Sequence, residues 1–174
     1  MRFDEYYLEE DIINSLKSKA FKLDNAEAQE IMTSNSKRFK LWNEIVEKGK
    51  SKDPNRFIEI YVQSNVPFVY LIYGDDYFTV IKDNDGSVKA SWEGKSNVKT
   101  KHIFDIEVAS DKGDELKGIG AEIIKDFIKQ SKTKGYDYIT LQANNDYLLN
   151  KYYPELGFKP FKEDVGNGMY YEIR

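Results

Sequence analysis

The sequence predicts a mixed α/β (α+β) domain, on three observations. Apolar residues recur every fourth position near the start, where Leu8, Ile12, Leu16 and Ala20 share one helical face. From residue 56 the texture changes to short runs rich in β-branched and aromatic residues, separated by turn residues. After residue 102 strand-like and helix-like segments alternate to the end. No internal repeat or low-complexity linker interrupts the 174 residues, so a single domain over residues 1–174 is expected, with a mainly helical part over 1–50.

The elements follow in order. "DEYYLEEDIINSLKSKAF" reads as an amphipathic helix with Asp4 as N-cap; its charged side is a solvated face or a homodimer contact. "NAEAQEIM" and "SKRFKLWNEIVEKG" are further helical pieces, the second with Phe39, Trp42 and Val46 on one face and Gly49 at its end. "RFIEIYVQS", "PFVYLIYG", "DYFTVIKD" and "SVKASWEG" read as an antiparallel meander, with Asn84-Asp85-Gly86 as a hairpin turn. "HIFDIEVAS" is a strand, and His102 in front of it is expected at the surface. A helix beginning between Leu116 and Gly120 carries Ile119, Ile123 and Phe127 on its buried side, and Gly135 stops it. The strand "YDYITLQA", the short helix "NDYLLNKYYPEL" and the strands "FKPFKE" and "MYYEIR" close the chain.

Composition narrows the chemistry. The chain has no cysteine and one histidine, which removes thiolate nucleophiles, disulfides and cysteine-based zinc sites, and no metal site is expected. A net charge of −4 disfavours a general nucleic-acid binder and suits a cationic substrate. The N-terminal "MRFDEYYLEED" lacks a basic-then-apolar signal pattern, and the longest apolar stretch is too short to span a bilayer. A cytoplasmic protein without membrane contact is expected.

The chemistry-bearing stretch is "DKGDELKGIGAEIIKDFIKQSKTKG". Glycine costs about 1 kcal/mol relative to alanine inside a helix, so Gly118 and Gly120 need a reason. One reason is an anion site, because the first amides of a helix point outward without internal partners and glycines let a phosphate approach. The other is a tight strand-to-helix turn. A dinucleotide fingerprint fails because Ile123 stands where its third glycine belongs. A nucleotide loop at Gly94–Ser96 fails because Lys89 replaces its first glycine, and a calcium loop over "KDNDGSVKASW" fails at Ile81 and Trp92.

Together, "KGIGAEII" and "YDYITLQANNDYLLNKYYPELGFKPF" resemble the GNAT superfamily of acyl-CoA-dependent N-acyltransferases over roughly residues 103–161. Family members carry R/Q-x-x-G-x-G/A opening a helix, then a strand, then N-x-x-A-x-x-[LF]-Y-x-x-x-G-F. Gly118 and Gly120 fill the glycine positions, and "YYPELGF" from Tyr152 to Phe158 fills the end of the second motif. Glu115 stands where the family has Arg or Gln, Asp146 takes the usual asparagine position beside Asn145, and Leu149 replaces the alanine.

The resemblance implies a central, mostly antiparallel twisted sheet, splayed at the cofactor site and flanked by helices. It implies acetyl-CoA as cofactor, held by Leu116, Lys117, Gly118, Ile119 and Gly120, by Val108 and Ala109 on the preceding strand, and by Asn145 and Asp146. The implied activity is transfer of an acetyl group to a primary amine by direct attack in a ternary complex. A backbone N–H near Val108 would stabilise the oxyanion, and Tyr153 would protonate the departing thiolate. For the base, Glu107 is the residue chosen, because it lies on that same strand. Tyr152, one residue earlier, is expected to face the core. The acceptor is a small molecule, a protein amine or an aminoacyl-tRNA. The alternative is a non-catalytic GNAT-like module that binds CoA or a protein.

Overall fold

The computed structural model describes residues 17–22, 56–63, 66–109 and 119–174, with side-chain environments for 56–57, 70–106 and 120–174. The expected helices over residues 25–32 and 36–49, and the start of the first helix, lie outside the described residues. The strands are β1 (Lys17–Lys22), β2 (Phe57–Gln63), β3 (Val66–Asp75), β4 (Thr79–Lys82), β5 (Val88–Ser91), β6 (Thr100–Ala109), β7 (Tyr138–Gln142), β8 (Lys159–Pro160) and β9 (Gly168–Glu172). Helix α1 spans Ile119–Thr133. Helical segment α2 consists of a π turn, Leu148–Tyr152, running into the α-helical turn Tyr153–Glu155.

Seven strands form one sheet in the order β1-β2-β3-β6-β7-β9-β8, and β4 and β5 form a separate hairpin. Two sequence expectations are corrected here. Residues 17–22, placed at the end of the first helix, are a strand paired with β2, Lys17 opposite Val62 and Lys22 opposite Phe57. A weak helical period yields where a neighbouring strand supplies the ladder hydrogen bonds. The meander is also interrupted, because β4 and β5 pair only with each other, Thr79 opposite Ser91.

Backbone contacts divide the chain into two compact units, residues 1–73 with 105–123, and residues 74–104 with 124–174. In the first unit β2 and β3 pair antiparallel and Tyr70, Leu71 and Ile72 are buried. The Phe57 and Tyr73 rings stack there at 5.6 Å. The second unit is built around Phe78, Val80, Ala90, Tyr138, Phe161 and Val165. Ile124, Phe127 and Ser131 of α1 are buried in helical register, as the sequence expects of Phe127. Gly135, in the left-handed region at φ 84°, ends α1. Its N–H donates to Lys132 O (3.0 Å) and the Tyr136 N–H to Ser131 O (3.0 Å), the paired bonds of a Schellman motif.

His102 is not a surface residue. It is buried on β6, opposite Thr140 of β7, and its Nδ1 lies 2.8 Å from Thr140 Oγ1. Its ring packs against Tyr77 (4.4 Å), Phe104 (4.7 Å) and Phe78 (5.0 Å). The hydrogen bond to Thr140 and the aromatic neighbours help a histidine sit where the alternation of the strand points inward.

Candidate active site

The site begins where the pairing of β6 with β7 ends. β6 and β7 run parallel and are in register from Thr100–Tyr138 to Ile103–Leu141. β6 then continues to Ala109, whereas β7 ends at Gln142. Among the described residues, β6 therefore runs six positions past its last pairing with β7. β7 supplies no ladder partner to that extension. Glu107, Val108 and Ala109 occupy this extension.

Ile119 and Gly120 open α1, a 15-residue helix long enough for a macrodipole, with Glu122 in its first turn. Leu116, Lys117, Gly118 and Glu115 lie outside the described residues. The backbone thus carries Glu107–Ala109 and Ile119–Gly120 on either side of the connection 110–118.

Asn145, Asp146 and Tyr153 share one helical segment, residues 145–155. Asn145 is its N-cap: Asn145 Oδ1 accepts the Leu148 N–H at 2.9 Å, and Asn145 O accepts the Leu149 N–H at 3.1 Å. The side-chain oxygen offered to the cofactor by the resemblance is engaged in holding the helix start. Asp146 is exposed.

The segment then departs from α-helix. The Tyr153 N–H donates to Leu148 O, five residues back. In an α-helix Tyr152 would take that bond and stand over Leu148. The π turn gives the position to Tyr153 instead, which corrects the expected orientation of the pair. Tyr153 is the buried one, at 8% exposure, and Tyr152 is half-buried. Burial pushes the Tyr152 hydroxyl above its ordinary range, and charge on exposed Tyr147 adds to that.

The end of the segment explains the spacing of "YPELGF". Gly157 sits at φ 101°, a conformation glycine adopts without steric cost. Its N–H donates to Pro154 O (3.0 Å), and the Phe158 N–H donates to Tyr153 O (3.1 Å). These are again the two bonds of a Schellman motif, and Tyr153 and Phe158 are the pair whose side chains meet across it. Their ring centroids are 5.7 Å apart, and Phe158 packs on Tyr171 at 5.5 Å. A Cβ at Gly157 would lie 2.8 Å from Tyr171 Cε2, so a side chain has no room there. Sequence reading noticed the motif but missed this clasp. Its signal was present in a glycine followed by an aromatic residue at the end of a short helix.

Among the described residues, no group of histidine and carboxylate side chains is arranged to hold a metal, and no helix is long and apolar enough to cross a membrane.

The fold is of the GNAT type. No protein-family model and no curated protein sequence matches the chain. Among solved structures, a bacterial toxin is similar at 12% identity with a TM-score of 0.54, over 91% of this chain and 90% of its own. The toxin AtaT complexed with acetyl-methionyl-tRNAfMet is similar at 13% identity with a TM-score of 0.52, over 90% and 94% of the two chains. AtaTR bound with acetyl-CoA gives 13% identity and a TM-score of 0.51, over 92% and 95%. At this identity the likeness establishes the fold.

Proposed function

We propose that this chain is an acetyl-CoA-dependent N-acetyltransferase. The observation that carries the reading is the run of β6 to Ala109 beyond its last pairing with β7 at Ile103–Leu141, ahead of helix α1 (Ile119–Thr133), in a fold of the GNAT type. Beyond the end of β7 the longer strand offers an edge that a ligand could pair with, and the helix start is suited to its phosphates. Gly118, Ile119, Gly120, Leu116 and Lys117 would hold the pyrophosphate through their amides, with the Lys117 ammonium adding charge.

In this reading Glu107 takes a proton from the acceptor ammonium, which is the dominant form of an amine of pKa about 10.4 at neutral pH. The freed amine attacks the thioester carbonyl, forming the C–N bond. The Val108 N–H donates to the oxyanion, and the C–S bond breaks as Tyr153 gives its proton to sulfur. The surplus proton on the newly bonded nitrogen passes through solvent to the tyrosinate, leaving a neutral amide. Ala109 extends the same strand. Asn145 and Asp146 serve the site through the helix start that Asn145 caps. For the acceptor we favour an aminoacyl-tRNA over a small amine or a protein amine, because the similar AtaT was solved with acetyl-methionyl-tRNAfMet. The acidic net charge of −4 confines contact with RNA to local basic groups.

Thermal shift with CoA and acetyl-CoA, followed by thiol release with amine and aminoacyl-tRNA panels, tests the reading. A ligand at 100 times its dissociation constant should stabilise the fold by about 2.7 kcal/mol. A shift without thiol release would turn the assignment to a CoA-binding module. No shift at millimolar ligand would end the cofactor reading.

A further inference from the structure

The tyrosine segment is tied at both ends. Asn145 fixes its start through the Leu148 N–H, and the Gly157–Phe158 clasp fixes its end. Between the ties lies one residue more than an α-helix needs, since the Tyr153 N–H reaches Leu148 O over five residues rather than four. The surplus is taken up on the solvent side, where Asn150 and Lys151 are exposed. π turns of this kind tend to occur at functional sites.

We propose that Gly157 and Phe158 are the positioning residues of Tyr153, and that the π turn isolates them from the front of the helix. The inference rests on the N-acetyltransferase reading for its consequence in turnover. Phe158 is 2% exposed and is held by Tyr171 on one side, so the ring it presents to Tyr153 is fixed. The Tyr153 carbonyl is fixed by the Phe158 N–H. A side chain secured through both its ring and its own backbone carbonyl takes its direction from the clasp. The turn in front of it can lose a residue without turning it, because four residues of α-helix and five of π turn both return to the azimuth of Leu148.

Three variants test this: Phe158→Leu, deletion of Asn150, and Phe158→Leu combined with Tyr153→Phe. Phe158→Leu should lower kcat about tenfold or more with the acetyl-CoA dissociation constant unchanged within twofold, because displacement of a reacting group by about 1 Å is costly in rate. In the Tyr153→Phe background the same change should cost nothing further, the non-additivity expected of residues acting as a unit. Deletion of Asn150 should keep kcat within about threefold and leave it dependent on Tyr153. The ring resonances of labelled Tyr153 should move in Phe158→Leu and stay in the deletion. Additive losses, or a deletion as damaging as Tyr153→Phe, would overturn the proposal. A wild-type protein that releases no thiol sinks the enzymatic reading instead, and the Tyr153 resonances then decide the clasp alone.

Discussion

Replacing Tyr153 by phenylalanine separates chemistry from packing. The ring keeps its neighbours, Phe158 at 5.7 Å and Tyr152 at 5.3 Å, and its buried position at 8% exposure. Only the hydroxyl goes, so the stability change should stay within about 1–2 kcal/mol. A general acid that protonates the departing thiolate acts in the transition state, so kcat should fall about 10²-fold or more while acetyl-CoA affinity holds. Tyr153→Leu calibrates the packing. It removes both aromatic pairs, each worth about 0.5–1.5 kcal/mol beyond area, and should destabilise by about 1–3 kcal/mol more. Tyr152→Phe should leave turnover nearly intact, since the π turn gives Tyr153 the position over Leu148. The assays are thiol release with a verified acceptor, acetyl-CoA titration and thermal melting, run on all three variants. Wild-type turnover in Tyr153→Phe refutes the proton-donor role. A stability loss in Tyr153→Phe equal to that of Tyr153→Leu would show that the hydroxyl serves the fold.

Gly118→Asp should abolish CoA binding with the fold retained, because a carboxylate would compete for the first helical amides and repel phosphate; isothermal titration decides it. Glu115→Gln should tighten CoA binding at low salt and less so at high salt, as expected when a negative charge leaves the edge of an anion site, and equal affinities at both salts would count against that placement. Burial, then a hydrogen bond from the Tyr136 hydroxyl to Asp75 (2.9 Å), push Tyr136 up to about 12. The folded state therefore holds that proton where the unfolded chain has lost it. The resulting stability is complete below the ordinary tyrosine value of 10.0 and is lost as pH rises through about 12. Tyr138 and Tyr170 shift upward as well, by burial first. Denaturant midpoints at pH 8 and pH 11 should differ less in Tyr136→Phe than in wild type.

Legibility in the sequence followed how local the determining interactions are. Helix α1 was readable because its signals are contiguous: Ile123, Ile124 and Phe127 are buried in helical register and Gly135 ends it in a left-handed turn. The hairpin at Asn84–Gly86 was readable for the same reason, since Gly86 has φ 86° and its N–H closes the turn onto Asp83 O at 2.9 Å. Residues 17–22 were misread because their partner lies about forty residues away on β2, and local periodicity carries no information about that ladder. His102 was misread similarly. A polar residue before an apolar run looks exposed until Thr140, on another strand, supplies the hydrogen bond that allows burial.

The tyrosine motif falls between these cases. Its spacing was legible, and the structure turns that spacing into a mechanism of placement: four residues from Tyr153 to Gly157 are what a Schellman motif requires between the residue accepting the outer bond and the left-handed glycine. The orientation of the tyrosines was not legible, because it depends on a choice between four-residue and five-residue closure that differs little in composition. That choice follows from the ties at either end, Asn145 and the Gly157–Phe158 clasp, with too many residues between them for an α-helix. A motif of this type therefore specifies which residue is held and how its backbone is held. Its direction is taken from the clasp. A one-residue loss between the two ties should therefore convert five-residue closure to four-residue closure and leave Tyr153 over Leu148, whereas a change in the clasp itself should turn the ring.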